Sequence, residues 1–122
     1  MRWIVAVMTT LLLVASPIEA QARRPSTYCS VTGDICQSTT RVNGVRILRI
    51  TLAAEYFHRY TLCVTAPDQT VRCHRFKIHA KGPTFGSSIW WARNFPNKGR
   101  GTYTVSWKTG GHLVGHVLAF HQ

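Results

Sequence analysis

Gly101-Thr102-Tyr103-Thr104-Val105-Ser106-Trp107-Lys108 is the stretch that decides the fold. Large apolar and small polar residues alternate along it, and a period of two belongs to a strand buried on one face. Tyr103, Val105 and Trp107 form the inward set; Thr102, Thr104, Ser106 and Lys108 form the outward one. Gly110-Gly111 then turns the chain into a last strand ending at Leu118-Ala119-Phe120, which makes the pair an antiparallel hairpin.

The same grammar holds upstream. Asn43-Gly44 is a strong two-residue hairpin signal, joining a strand from near Cys36 to Val42 with one from Val45 to Leu52. In the second of these, Leu48, Ile50 and Leu52 face one way, and Arg49 and Thr51 the other. A three-residue loop at Pro67-Asp68-Gln69 sets a further register: Ala66 opposite Thr70, Val64 opposite Arg72, Cys63 opposite Cys73, Leu62 opposite His74 and Tyr60 opposite Phe76. Tyr60, Leu62, Val64, Phe76 and Ile78 then share the buried face, while Thr61, Cys63, Thr65, Cys73, Arg75 and Lys77 share the outer one. Lys81-Gly82-Pro83 breaks the pattern, and a strand resumes over Ser87 to Arg93. Within it the adjacent Trp90 and Trp91 must face opposite ways, one into the core and one outward. Asn94 to Gly101 is a polar connection rich in Gly and Pro.

About seven short strands and no long helical pattern predict two antiparallel sheets packed face to face. The expected fold is an immunoglobulin-like β-sandwich, with a small Greek-key barrel as the alternative the same pattern permits.

Residues 1 to 22 read as a secretory signal peptide: Arg2, an apolar run from Trp3 to Ala15, Pro17, and the small-residue triplet Ala20-Gln21-Ala22. The apolar run falls short of the roughly 20 residues that span a bilayer. Residues 23 to 122 form one mature domain, too short for two independent cores. The expected location is secreted or extracytoplasmic, in the periplasm or cell envelope, with no transmembrane segment after cleavage.

All four cysteines, Cys29, Cys36, Cys63 and Cys73, lie in the mature part, and an even count in a small exported domain reads as two disulfides. Of the three possible pairings, local geometry favours Cys29 with Cys36 and Cys63 with Cys73, since each pair brackets a turn. Six and nine intervening residues do not match the short knuckles of zinc sites.

The chain carries 15 Lys or Arg against 4 Asp or Glu, a formal net charge of +11. Signal cleavage removes Arg2 and Glu19, one of each sign, so the excess persists and the remaining acids are Asp34, Glu55 and Asp68. Such an excess favours anionic partners: nucleic acid, acidic polysaccharide, teichoic or phospholipid surfaces. Solubility alone is the competing reading of the charge.

Gly101-Thr102-Tyr103-Thr104-Val105-Ser106-Trp107, followed by Gly111-His112, Gly115 and Phe120, resembles the C-terminal hairpin of copper-resistance CopC-type exported domains. The similarity covers about 20 of the mature residues and implies an immunoglobulin-like β-fold. Of the Cu(II) ligands of those domains only His112 has a counterpart, because Gly110 stands at the position of their Asp and no His lies near Ala20 or Ala22. The chain as a whole also resembles small, basic, four-cysteine exported proteins of bacteria.

Catalytic groups are scarce. Glycoside cleavage needs two carboxylates at a set separation, but Asp34 and Asp68 sit in predicted turns and Glu55 has no carboxylate partner. Gly86-Ser87-Ser88 lacks the form of a nucleophile elbow, and the disulfides consume the thiols. A compact ribonuclease working with His, Lys and Arg alone is the enzymatic alternative. His58, His74, His79, His112, His116 and His121 are expected to be solvated or hydrogen-bonded; His112 and His116 lie about 13 Å apart on a strand, too far to share a metal. No metal or cofactor is expected.

Basic residues alternate with aromatics over Tyr56 to Lys77 and Trp90 to Arg100. Cations can meet phosphates or acidic sugars while aromatic faces stack on rings, so Trp90, Trp91, Arg93, Lys98 and Arg100 are the candidate ligand-binding residues. The expectation is a non-catalytic binding or envelope-associated module for an anionic polymer or envelope surface. The alternatives are a copper carrier or a small cationic enzyme or toxin.

Overall fold

Strand β1 (Thr27–Cys29) opens a computed structural model that describes residues 24–122, and the predicted signal peptide lies outside the described residues. There follow β2 (Ile35–Ser38), β3 (Arg41–Val42), β4 (Val45–Leu52), β5 (Arg59–Thr65), β6 (Val71–Lys77), β7 (His79–Lys81), β8 (Thr84–Trp90), the helical turn α1 (Trp91–Asn94), β9 (Thr102–Thr109) and β10 (His112–His121). All pairings are antiparallel. One sheet runs β1-β2-β4-β8-β7, with β3 also on β4, and the other runs β10-β9-β5-β6. The chain is an all-β sandwich, its core filled from both inner faces.

The alternation of β9 holds in full: Tyr103, Val105 and Trp107 are completely buried between more exposed neighbours. Leu48, Ile50 and Leu52 face them from β4. The β5–β6 hairpin has the expected register from Arg59↔Lys77 to Thr65↔Val71, and the Ala66 N–H donates to the Thr70 carbonyl across the three-residue loop. Gln69 closes that loop at φ 71°, the left-handed position such loops require. The β3–β4 turn is equally local. Asn43 and Gly44 have φ of 50° and 77°, the pair of positive values of a type I′ turn.

Both disulfides form as expected, Cys29–Cys36 and Cys63–Cys73, each between directly opposed residues with Cα atoms 4.1 Å apart. That spacing belongs to antiparallel pairs that do not exchange backbone hydrogen bonds. Cys63 is more covered than a solvated outer face implies, because it lies between Cys73 on β6 and Ser106 on β9. Phe76 and Ile78 are half-buried, because β6 is the sheet edge and the chain leaves it there for the other sheet.

Three expectations are corrected. The strand from Cys36 to Val42 is split, because Thr39 turns inward: its Oγ1 lies 3.1 Å from the carbonyls of both Ser26 and Ala119. Lys81-Gly82-Pro83 is a reversal that creates β7, with Lys81 paired to Thr84. The strand through the tryptophans begins at Thr84 and stops at Trp90, and residues 91–94 coil into α1. Pro96 biases Phe95 to extended backbone (φ −132°, ψ 144°), which ends the helix after one turn. The described residues form ten strands in place of about seven.

The loop after α1 is tied down by one hydroxyl. Tyr103 Oη accepts from the Lys98 N–H at 2.8 Å and donates to the Gly99 carbonyl at 2.8 Å. A strand tyrosine bonded to backbone just upstream is the tyrosine-corner arrangement of β-sandwiches.

Candidate anion-binding surface

Strand alternation sends Trp90 outward and leaves it 41% exposed, while α1 carries Trp91 into the end of the core at 2%. Trp91 packs edge-on against Tyr103 and Phe120, with centroids 5.1 and 5.2 Å away. One tryptophan is thus core and the other surface, as expected, and Trp91 is unavailable to a ligand. Arg93, three residues after Trp90, lays its guanidinium over the Trp90 ring at 3.8 Å. This is close enough for a cation–π contact. Lys98 and Arg100 are exposed in the following loop. Lys98 borders a small cleft with Arg72, Phe95 and Tyr103 at the far end of the β5–β6 hairpin, so it joins a different cluster from Trp90 and Arg93.

Of the chain's 15 Lys and Arg, all but Arg2 and Arg23 are described, and none of these forms a salt bridge with a carboxylate of the described residues. The one ion pair among the described residues joins Glu55 to His58. Asp34 accepts from Thr32 Oγ1 at 2.8 Å. Asp68 accepts from the Thr70 N–H at 2.9 Å, and this bond holds its carboxyl below the usual range, with a smaller contribution from Lys98. Both acids therefore do turn work. Arg46 is half-buried, with its Nε removed from water. It donates to the carbonyls of Thr39 (2.9 Å) and His121 (2.8 Å) and lies 4.5 Å over the Phe120 ring. Burial, then the charge of Arg41, lowers its pKa from the ordinary value.

Strand register places two groups of the remaining cations on opposite faces. On the outer face of the β10-β9-β5-β6 sheet, Arg59 opposes Lys77, and one step along, Arg75, Thr61 and Lys108 form a row across three strands. On the outer face of the other sheet, Arg49 opposes Ser88. Arg49 Nε donates to Ser88 Oγ at 3.1 Å, and Lys81 Nζ reaches the same oxygen at 3.1 Å from β7. Trp90 follows Ser88 by two residues and so shares this face.

The sequence reading missed Arg49, Lys81 and Ser88 as a group. Arg49 was legible as an outward residue between Leu48 and Ile50. Reading Gly82-Pro83 as a two-residue reversal would have returned Lys81 along β8 toward Ser88.

The histidines are dispersed. His116 packs on Tyr28 at 4.6 Å, His74 meets Phe95 edge-on at 5.1 Å, and Thr102 Oγ1 lies 3.2 Å from His121 Nδ1. Among the described residues no three His, Cys, Asp or Glu are placed to hold a metal ion. No helix among them is long and apolar enough to cross a membrane. No protein family, curated relative or solved structure matches the chain.

Proposed function

We propose that the protein is a secreted, non-catalytic, immunoglobulin-like binding module that recognises an anionic polymer or the anionic surface of a cell envelope. The observation that carries this reading is the absence of any Lys or Arg pairing with a carboxylate among the described residues. Unneutralised cations sum to a positive potential over the surface and draw polyanions by long-range attraction, and no carboxylate among the described residues competes for the donors that remain. Two disulfides suit an oxidising compartment outside the cytoplasm.

Strand order supports the immunoglobulin-like reading. Taking β2, β4, β8 and β7 as A, B, E and D, and β10, β9, β5 and β6 as G, F, C and C′, reproduces the A-B-E-D and G-F-C sheets with C′ added. Tyr103 then starts strand F, where the tyrosine corner belongs.

The test is binding of the oxidised protein to immobilised acidic polysaccharide, teichoic polymer, nucleic acid and anionic vesicles at low and near-physiological salt. Retention on an anionic class and none on neutral polysaccharide is the expected result. Equal retention on neutral and anionic supports, or none on either, overturns the reading.

A further inference from the structure

Arg49, Ser88 and Lys81 come from three adjacent strands, β4, β8 and β7, and meet at one oxygen. With Arg49 Nε and Lys81 Nζ each 3.1 Å from Ser88 Oγ, the two cationic nitrogens lie less than about 6.5 Å apart. Like charges this close repel unless water or an anion screens them, and no carboxylate among the described residues is paired with either. Ser88 Oγ spends its two lone pairs on the two cations, which leaves its O–H free to donate outward. Arg49 keeps its terminal N–H donors and Lys81 its remaining ones. The result is a set of donors converging on the sheet surface with no carboxylate among the described residues to receive them.

We infer that this cluster is the oxyanion subsite of an acidic-glycan site on the outer face of the β1-β2-β4-β8-β7 sheet. This deepens the binding function proposed above and rests on it. The surroundings favour a sugar. Arg49 borders a shallow, mostly apolar depression of about 280 Å³ lined by Thr27, Ser38, Thr51 and the Cys29–Cys36 disulfide. Lys81 and Ser88 border a second, of about 290 Å³, at the edge of the sheet, where β7 and β8 meet Phe76 and Lys77 of β6. Arg49 lines the first and Lys81 the second. Trp90 lies one side-chain step along β8 from Ser88, with the Arg93 guanidinium on its ring. An acidic saccharide combines an oxyanion for the cation pair, hydroxyls for the polar side chains beside it, and an apolar ring face for the indole and the apolar floors of the depressions. A polyphosphate would use only the cations, and a nucleic acid strand calls for repeated stacking platforms, whereas this face exposes a single tryptophan.

Titration calorimetry of the oxidised protein with oligogalacturonate, at about 150 mM salt, tests the assignment. Arg49→Gln and Lys81→Gln should each weaken binding about ten-fold, since each removes a charge-assisted contact. Arg75→Gln with Lys108→Gln, a loss of two charges on the opposite face, should weaken it less than about three-fold. Matching melting temperatures confirm that the variants fold. Equal losses on both faces overturn the subsite while leaving the wider binding function standing. Tighter binding of single-stranded nucleic acid than of oligogalacturonate, lost in the same two variants, overturns the glycan assignment. No binding of any polyanion by the wild type overturns both.

Discussion

The side-chain amide of Gln37 on β2 crosses to the other sheet and clamps the backbone on both sides of Gly115. Its Nε2 donates to the Val114 carbonyl at 2.9 Å, and its Oε1 accepts from the His116 N–H at 3.1 Å. The β9–β10 register shifts between Val114 and Leu118, so these backbone groups lie where the ladder is interrupted. Gln37, 3% exposed, satisfies them from within the core.

Gly115→Ala should therefore be costly. A Cβ there would lie 2.1 Å from Gln37 Oε1, and the backbone sits at φ 63°, where L-residues are strained. Strain and overpacking together should destabilise by about 2–4 kcal/mol in chemical denaturation. Gln37→Ala removes the clash but leaves the bulge unsatisfied, so the double variant should be less unstable than the sum of the singles.

Cys63→Ser with Cys73→Ser should cost about 2–4 kcal/mol, because the bond closes a loop of sequence separation 10 in the unfolded chain. The matching change at Cys29 and Cys36, separation 7, should cost less. Unchanged denaturation midpoints for the Cys63 and Cys73 variant would contradict the pairing.

Stability should fall in alkali. Burial raises the Tyr60 hydroxyl from 10.0 to about 12, against a smaller opposing effect of its 2.7 Å hydrogen bond to Ser87. The folded state holds this proton more tightly than the unfolded state. Its contribution is thus complete below pH 10 and is lost as pH rises toward 12. Tyr60→Phe should flatten that limb of the stability profile while costing about 1 kcal/mol at neutral pH.

Adjacent tryptophans should behave oppositely. Trp91→Ala removes a buried ring and should cost about 3–5 kcal/mol, as should Trp107→Ala. Trp90→Ala should change stability by no more than about 1 kcal/mol, the scale of its exposed contact with Arg93. Trp107→Phe should cost less than Trp107→Ala, because it keeps a ring in the core and, with Trp107 Nε1 unpartnered among the described residues, sacrifices no hydrogen bond.

Local chemistry explains what was legible in the sequence. One loop frame at Pro67-Asp68-Gln69 places Cys63 against Cys73, and the whole β5–β6 register follows from it. Tyr103, Val105 and Trp107 declare their face by alternation alone. The fate of Trp91 depended on Pro96, five residues away, which biases the backbone to leave its helical turn at Phe95. The break at Thr39 depended on carbonyls of Ser26 and Ala119, far apart in sequence. The candidate site suffered most from this distance. Alternation shows that Arg49 points outward and that Ser88 shares the face of Trp90, but only strand order brings them together, with Lys81 added from a hairpin read as a break.

The most direct test of polyanion recognition is the affinity of the oxidised protein for an acidic polysaccharide as salt is raised from about 50 to 200 mM. Unneutralised cations displace counterions, so log affinity should fall linearly with log salt, with a slope that becomes shallower when Arg49 or Lys81 is replaced by Gln. Affinity that does not respond to salt, or no binding at the lowest salt, would contradict it.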